Sequence, residues 1–204
     1  MIDQDQTAVF LKTLQRARRN THSYDTLLNR FEETNTAGYG QSMPKWVPDH
    51  DEVWALMIEG IRPFVNVDSQ LLDLGAGTGR FAEMVLSNFE GLNILLTDFS
   101  ANMLAGAENH LAQYADRIGT QTADFFSDEL VFEDGRFDCI YSTFAICHGR
   151  EVADYAALYG KIQRWLKPGG CFICCDHILG ATDYLTALNM AGWDKQMQPH
   201  FERG

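Results

Sequence analysis

Short apolar runs alternate with stretches of helical periodicity from residue 70 onward. The runs QLLDL, LNILLTDF, IGTQTAD, FDCIYSTFA and CFICCDH are predicted to form five strands. Between them, RFAEMVLSNF, SANMLAGAENHLAQYA and EVADYAALYGKIQRWL have the spacing of helices, and residues 167–170 are predicted to form a turn. This order predicts an α/β fold with a doubly wound, mostly parallel sheet that carries helices on both faces.

The first 62 residues have a different character, because helical patterns dominate them. Helical spacing occurs over residues 7–18, again around Tyr24 to Phe31, and in a segment that begins at Asp49 or Asp51. The stretch GYGQSMPKWVPD interrupts this pattern with glycines and prolines. We therefore expect a helical N-terminal lid or substrate segment over residues 1–62 and an α/β core over residues 63–204, within one structural domain.

Charge and composition narrow the classes of partner. The chain of 204 residues has a formal net charge of −12, which repels phosphate backbones and anionic membrane surfaces. No stretch approaches the roughly 20 apolar residues of a membrane helix, and the N-terminus has the reverse of a secretory charge pattern. We expect a cytoplasmic protein that acts on a small molecule and binds neither nucleic acid nor membrane.

The five cysteines favour reduced thiols over a disulfide framework, because their number is odd and their surroundings are apolar. The run CFICCDH contains four residue types that can bind a metal ion, and the candidate ligands are Cys171, Cys174, Cys175 and His177. In a strand, however, Cys174 points to the opposite face from the other three. We therefore expect no metal site.

The glycine-rich stretch LLDLGAGTGRF follows the first predicted strand, at the end of a parallel sheet where ligands bind. Glycines at this turn allow unusual backbone angles and let a ligand approach the main chain. A dinucleotide fingerprint needs Gly or Ala three positions after Gly77, and this chain has Arg80 there. A dinucleotide dehydrogenase is therefore disfavoured.

LLDLGAGTGRF resembles the first motif of class I S-adenosylmethionine-dependent methyltransferases, and four further motifs follow in the family's order between about residues 66 and 177. LLTDFSANML supplies Asp98, which the resemblance places on both ribose hydroxyls of S-adenosyl-L-methionine. TADFF supplies Asp124, which it places on the adenine amino group. FDCIYSTFAICH and LKPGGCFICCDH resemble the fourth strand and the turn and strand after it.

The resemblance implies a methyltransferase with a site at the strand ends. The predicted cofactor-binding residues are Asp73, Gly75, Ala76, Gly77, Gly79, Asp98, Phe99, Met103, Asp124, Phe125 and Ser142. His148 and His177 follow the fourth and fifth strands, and either could accept a proton from a substrate heteroatom, since histidine titrates near neutral pH. The lid contains four further candidates, which could either contact the methyl acceptor or fix the lid loop to the core: Tyr39, Met43, Trp46 and His50.

The end of the chain departs from the family pattern. After His177 we predict a loop and one helix, DYLTALNMAGWDKQ, so the family's C-terminal antiparallel hairpin is missing. Two explanations stay open: the sequence is a shortened form of the protein, or the edge is covered by the chain's own helix or by another subunit in a homo-oligomer. Two alternatives to a methyltransferase stay open: a relative that modifies the cofactor, such as carboxy-S-adenosylmethionine synthase, and a catalytically silent binding subunit.

Overall fold

The computed structural model describes residues 24–34, 36, 38, 39, 47, 49–149, 151–176 and 182–201. Two helices come first, α1 (Tyr24–Glu32) and α2 (His50–Ile61), and both match the predicted periodicity. The helix predicted over residues 7–18 lies outside the described residues.

Five strands form one sheet in which every neighbouring pair is parallel. They are β1 (Gln70–Leu74), β2 (Asn93–Asp98), β3 (Ile118–Thr122), β4 (Phe137–Thr143) and β5 (Leu166–Cys175). The strand order is β3-β2-β1-β4-β5, so the chain reverses its direction of winding between β1 and β4. The predicted α/β fold is confirmed, and the reversal leaves a crevice beyond the carboxyl ends of β1 and β4.

Helices α3 (Arg80–Asn88), α4 (Ala101–His110) and α5 (Val152–Trp165) connect the strands. Local chemistry sets where two of them begin. The Ser100 hydroxyl accepts a hydrogen bond from the Met103 amide at 3.1 Å, and Glu151 and Asp154 form a reciprocal capping box at the start of α5. Short 3₁₀ turns cover Arg62–Phe64, Ala112–Tyr114 and Ile146–His148.

The prediction of a separate turn at residues 167–170 was wrong, because these residues lie within β5. Phe137 pairs with Leu166, and the next pair joins Cys139 to Cys171. The segment of β5 between these two pairs is therefore longer than the segment of β4 that it faces. Gly169 takes a left-handed φ of 82° in this bulge. Pairing with β4 on both sides of the irregularity makes the glycine pair part of the strand.

The sheet separates two hydrophobic clusters. One cluster packs α2, α3 and α4 against one face, and the other packs α5 and the segment before β4 against the opposite face. Alternation along β5 follows the prediction, since Cys171, Ile173 and Cys175 contact the first cluster and Phe172 contacts the second. Helix α2 therefore contributes to the core through the buried residues Trp54, Met57, Ile58 and Ile61.

The described part of the chain beyond Asp176 holds one helix, α6 (Asp183–Phe201), and no strand. This agrees with the single helix expected there. None of the helices among the described residues is long and apolar enough to cross a membrane.

Candidate functional site

A cavity lies at the carboxyl ends of the strands, and its empty space, together with the open solvent at its mouth, amounts to about 1030 Å³. The loops after β1, β2, β3 and β4 contribute to its lining, and so do Phe31 of α1 and Trp54 of α2. Its lining is Phe31, Tyr39, Trp54, Gly75, Ala76, Gly77, Thr78, Arg80, Phe81, Asp98, Phe99, Met103, Asp124, Phe125, Phe126, Thr143, Phe144, Ala145 and His148.

The glycine loop after β1 is tied to the end of β2. The amides of Gly75 and Ala76 both donate to the Thr97 carbonyl oxygen, at 2.8 and 2.9 Å. Gly75 and Gly77 have left-handed φ angles of 78° and 53°, which glycine adopts without steric cost. A Cβ at Gly75 would overlap the Cβ of Ala145, whereas one at Gly77 would meet only a methionine methyl at 3.7 Å. Gly77 thus gives a ligand access to the main chain.

Asp98 is held at the end of β2 by two backbone amides. Gly77 donates to Oδ2 at 2.8 Å, and Ser100 donates to Oδ1 at 2.9 Å. The side chain is 5% exposed, and burial raises its pKa from 3.8 to about 6. Because a carboxylate oxygen can accept more than one hydrogen bond, each oxygen keeps a free acceptor position for a ligand hydroxyl.

Asp124 and Phe125 lie on the loop after β3. Oδ1 of Asp124 accepts the Phe126 amide at 2.9 Å, which fixes the turn. Lys161 of α5 anchors this loop from below, because its ammonium donates to the carbonyl oxygens of Phe125 and Ser127 at 2.8 and 2.7 Å. Lys161 was not among the predicted site residues, since its role depends on a helix that is distant in sequence.

Three of the predicted cofactor residues lie outside the cavity lining. Asp73 is 1% exposed below the glycine loop, where burial raises the pKa of its carboxyl and the neighbouring Tyr141 hydroxyl opposes part of that rise. The Ser142 hydroxyl donates to the Leu74 carbonyl oxygen at 2.7 Å, so this side chain links the ends of β1 and β4.

Gly79, the third of these residues, has a packing function. Its φ is 73°, and a Cβ there would lie 2.8 Å from Cδ1 of Leu111 and 3.1 Å from Cβ of Ala107. The bare backbone lets the start of α3 approach α4. The structure therefore assigns Gly79 to contact between helices, and it leaves Gly75 and Gly77 at the cavity.

Part of the cavity lining is a cluster of aromatic rings around Phe31. Phe31 of α1 makes edge contacts with Tyr39, Phe99 and His148, with ring centroids 5.9, 5.6 and 6.4 Å apart. Burial raises the pKa of Tyr39, so its phenol stays neutral at physiological pH. His148 therefore lies at the cavity, next to an apolar wall.

Several predicted residues have no described position. His177, Met43 and Trp46 lie outside the described residues, so the second candidate catalytic histidine stays a prediction. His50 is described and buried but does not line the cavity, and its ring lies tilted against that of Trp54 at a centroid distance of 3.8 Å. Within the described part of the chain, no group of three or more His, Cys, Asp or Glu side chains is placed to hold a metal.

Other lining residues were missed at the level of the sequence. Trp54 was not among the predicted site residues, and Phe126 and Phe144 lie within the quoted motifs TADFF and FDCIYSTFAICH without having been named as site residues. Phe144 carries one signal that structure alone reveals, a left-handed φ of 54° in a residue other than glycine. Such strain occurs often at functional sites.

Comparison with known proteins identifies a family. Residues 71–170 match the family described as "Methyltransferase domain". Phosphoethanolamine N-methyltransferase 3 of Arabidopsis thaliana is 29% identical over 146 residues, covering 67% of this chain and 29% of the relative. The ubiquinone/menaquinone biosynthesis C-methyltransferase UbiE of Desulfotalea psychrophila is 32% identical over 107 residues, covering 52% and 41%. The chain thus spans less than half the length of these relatives.

A solved structure supports the fold. Phosphoethanolamine N-methyltransferase 2 of Haemonchus contortus, in complex with S-adenosyl-L-methionine, superposes with a TM-score of 0.61 at 24% identity. The match covers 88% of this chain and 41% of that one. Together with the family match over the sheet and the glycine loop, these similarities show that the chain belongs to the class I S-adenosylmethionine-dependent methyltransferase family, in which S-adenosylmethionine is the methyl donor.

Proposed function

We propose that this protein binds S-adenosyl-L-methionine in the strand-end cavity and transfers its methyl group to a small molecule. The observation that carries the proposal is that one cavity brings together an open glycine loop and carboxylates from two neighbouring strand ends. This matches the parts of an adenosyl ligand, since adjacent ribose hydroxyls and an exocyclic amine are hydrogen-bond donors. The methyltransferase activity proposed for the whole protein rests on this match between the cavity and the cofactor.

The strand order predicts how the cofactor lies. Asp98 at the end of β2 would accept hydrogen bonds from the two ribose hydroxyls, and Asp124 after the neighbouring β3 would accept one from the adenine amino group. Phe99, Met103 and Phe125 would supply apolar contacts to the purine, because all three line the cavity beside these carboxylates. The main chain at Ala76 and Gly77 would approach the sugar and the sulfonium.

The electrostatics also favour a cationic ligand. Asp98 and Asp124 line the cavity, and Asp73 lies buried below the glycine loop. Burial favours the neutral form of Asp73, so the attraction of a cation comes from the two carboxylates that line the cavity. A sulfonium near these carboxylates is stabilised by a reduced local dielectric constant.

The methyl acceptor would bind on the part of the cavity lined by aromatic side chains and His148. Phe31, Phe126 and Phe144 offer apolar surface, and His148 is the described side chain there that could accept a proton. The bound sulfonium supplies an activated methyl group. The residues of the chain would then contribute by aligning the acceptor and excluding water, so a small acceptor with apolar surface fits best.

Titration with S-adenosylhomocysteine in a calorimeter tests cofactor binding, with NAD as the competing ligand class. We expect saturable binding of S-adenosylhomocysteine and none of NAD. Absence of S-adenosylhomocysteine binding by the wild-type protein would refute the proposal.

Turnover is tested separately, by incubating the protein with S-adenosyl-L-methionine and a small-molecule cell extract. Formation of S-adenosylhomocysteine and a methylated product would establish the enzyme. Binding without turnover in extracts from several growth conditions would favour the silent subunit instead, and consumption of the cofactor without a methylated product would favour a cofactor-modifying relative.

A further inference from the structure

The side chain of Asn102, on α4, holds the end of α1. Its Nδ2 donates to the carbonyl oxygen of Phe31 at 2.9 Å and to that of Thr34 at 3.0 Å. Phe31 lies in the last turn of α1, where the carbonyl groups have no partner within the helix. An amide nitrogen carries two hydrogens, so one side chain satisfies both carbonyl groups. Asn102 therefore ties the end of α1 to the first turn of α4.

One turn further along α4, Gly106 leaves room for Thr36. A Cβ at Gly106 would lie 2.7 Å from the Cβ of Thr36 and 3.0 Å from its Oγ1. A glycine inside a helix lowers helix stability relative to alanine, and the close approach of Thr36 gives a reason for it here. Residues four apart lie on the same face of a helix, so Asn102 and Gly106 form one contact surface. We call these two residues the seat, and α1 with Thr34, Thr36 and Tyr39 the cover segment.

The cover segment supplies two rings of the cavity lining, those of Phe31 and Tyr39. Phe31 and Met103 form a small buried cluster with Tyr39 and Phe99 packed against it, and this cluster is distinct from the two that flank the sheet. Three of its members besides Phe31 line the cavity as well. The seat therefore sets where the rings of the cover segment lie relative to the cavity.

The length of α1 makes it dependent on this docking. It has nine residues, and helices shorter than about 12 residues are only marginally stable in water by themselves. Packing of Phe31 and the two hydrogen bonds from Asn102 supply what the helix lacks. Release of the cover segment from the seat should therefore unfold α1, and exchange of its backbone amides with deuterium reports that release.

We propose that Asn102 is a positioning residue, which holds Phe31 and Tyr39 against a bound ligand through the seat and thereby slows dissociation of that ligand. This rests on the proposed function, because the ligand that reports it is S-adenosylhomocysteine bound in the strand-end cavity. Asn102 is itself outside the described cavity lining, so its effect reaches the ligand through the two rings. Opening of the cover segment then precedes release of the ligand.

Three variants disturb the seat in different ways. Asn102→Asp keeps the shape of the side chain but replaces its two donors with acceptors, and Asn102→Ala removes them without adding a charge. Gly106→Ala leaves both hydrogen-bonding residues in place and displaces Thr36 instead. Gly160→Ala is the matched control, because Gly160 also lies inside a helix, α5, and a Cβ there would meet only the end of the Arg164 side chain at 3.9 Å.

Two measurements are made on each protein. In stopped-flow experiments the seat variants should release S-adenosylhomocysteine roughly tenfold faster than the wild type, as expected for the loss of one or two hydrogen bonds that hold the cover segment, and Gly160→Ala should stay within about twofold. In the ligand-free proteins, amides of α1 should exchange faster in the seat variants than in the wild type and in Gly160→Ala. Exchange in β1 and β4 should be the same in all of them.

The outcomes separate this inference from the proposed function. If the wild type does not bind S-adenosylhomocysteine, the proposed function fails and the inference fails with it. If the wild type binds and the seat variants exchange faster in α1 but release the ligand at the wild-type rate, the proposed function stands and the inference is overturned, because the cover segment does not retain the ligand. Faster exchange throughout β1 and β4 would show a general loss of structure, and it would also overturn the positioning role.

Discussion

The buried carboxylate of Asp98 links ligand binding to folding stability. Its pKa in the folded protein is about 6, against an ordinary value of 3.8, and the largest cause is burial. A higher pKa in the folded state means that folding favours the protonated form. Since one pKa unit corresponds to roughly 1.4 kcal/mol, the ionised carboxylate costs the folded protein about 3 kcal/mol at neutral pH.

The pH dependence follows from the same two pKa values. Below pH 3.8 the carboxyl is protonated in both states and the cost is absent, and it increases until the pH exceeds about 6. Asp98→Asn removes the charge but keeps a single oxygen, so the amide of Gly77 or of Ser100 loses its acceptor at a cost of about 1 kcal/mol. We therefore expect the variant to be more stable by about 1–2 kcal/mol at neutral pH, with the gain disappearing below pH 4.

Urea unfolding of both proteins across this pH range measures the stability difference, and calorimetry with S-adenosylhomocysteine measures binding. The variant should bind about 2 kcal/mol more weakly, because an amide cannot accept from two ribose hydroxyls as a carboxylate does. Asp134→Asn, on an exposed loop, is the matched control and should change neither quantity. A gain in stability that is independent of pH would refute the burial argument, and unchanged affinity would refute the ribose assignment.

Three other substitutions have distinct expected results. Gly79→Ala should destabilise the fold by about 2–4 kcal/mol in urea unfolding, since a Cβ would combine left-handed strain with a close contact to Leu111, and wild-type stability would contradict the packing role. Lys161→Met should cost about 2 kcal/mol and weaken S-adenosylhomocysteine, because the carbonyl oxygens of Phe125 and Ser127 lose their donor; an unchanged affinity would show that the loop needs no anchor. His148→Asn should lower kcat about a hundredfold for an identified acceptor and leave S-adenosylhomocysteine affinity unchanged, whereas wild-type turnover would exclude it as the proton acceptor.

The strands and the helices between them were predictable because each has a clear local period. The apolar runs that became β1 and β2, and the helical spacing that became α2, carry their own signals. The turn at residues 167–170 was wrong for a physical reason. A Pro-Gly-Gly stretch is a local turn signal, but pairing with β4 on either side incorporated it into β5 as a bulge.

The candidate site also contains both residues that the sequence predicted and residues that it did not. Asp98 and Gly77 could be predicted from spacing along the chain, and the structure joins them by a hydrogen bond. Trp54 and Lys161 could not be predicted, since each reaches the cavity or its supporting loop only through packing between distant elements. A single sequence contains no period or motif that reports such a contact.

Local chemistry in the chain was enough to establish the order of strands and helices, the glycine loop and the acids that follow β2 and β3. These features depend on neighbouring residues, so a linear pattern records them. The fold alone decided that Gly79 serves helix packing, that Asp73 lies below the loop, and that Arg80 lines the cavity. Each of these outcomes depends on which surfaces meet when the sheet and its helices close together, and contacts between distant residues leave no periodic trace in the sequence.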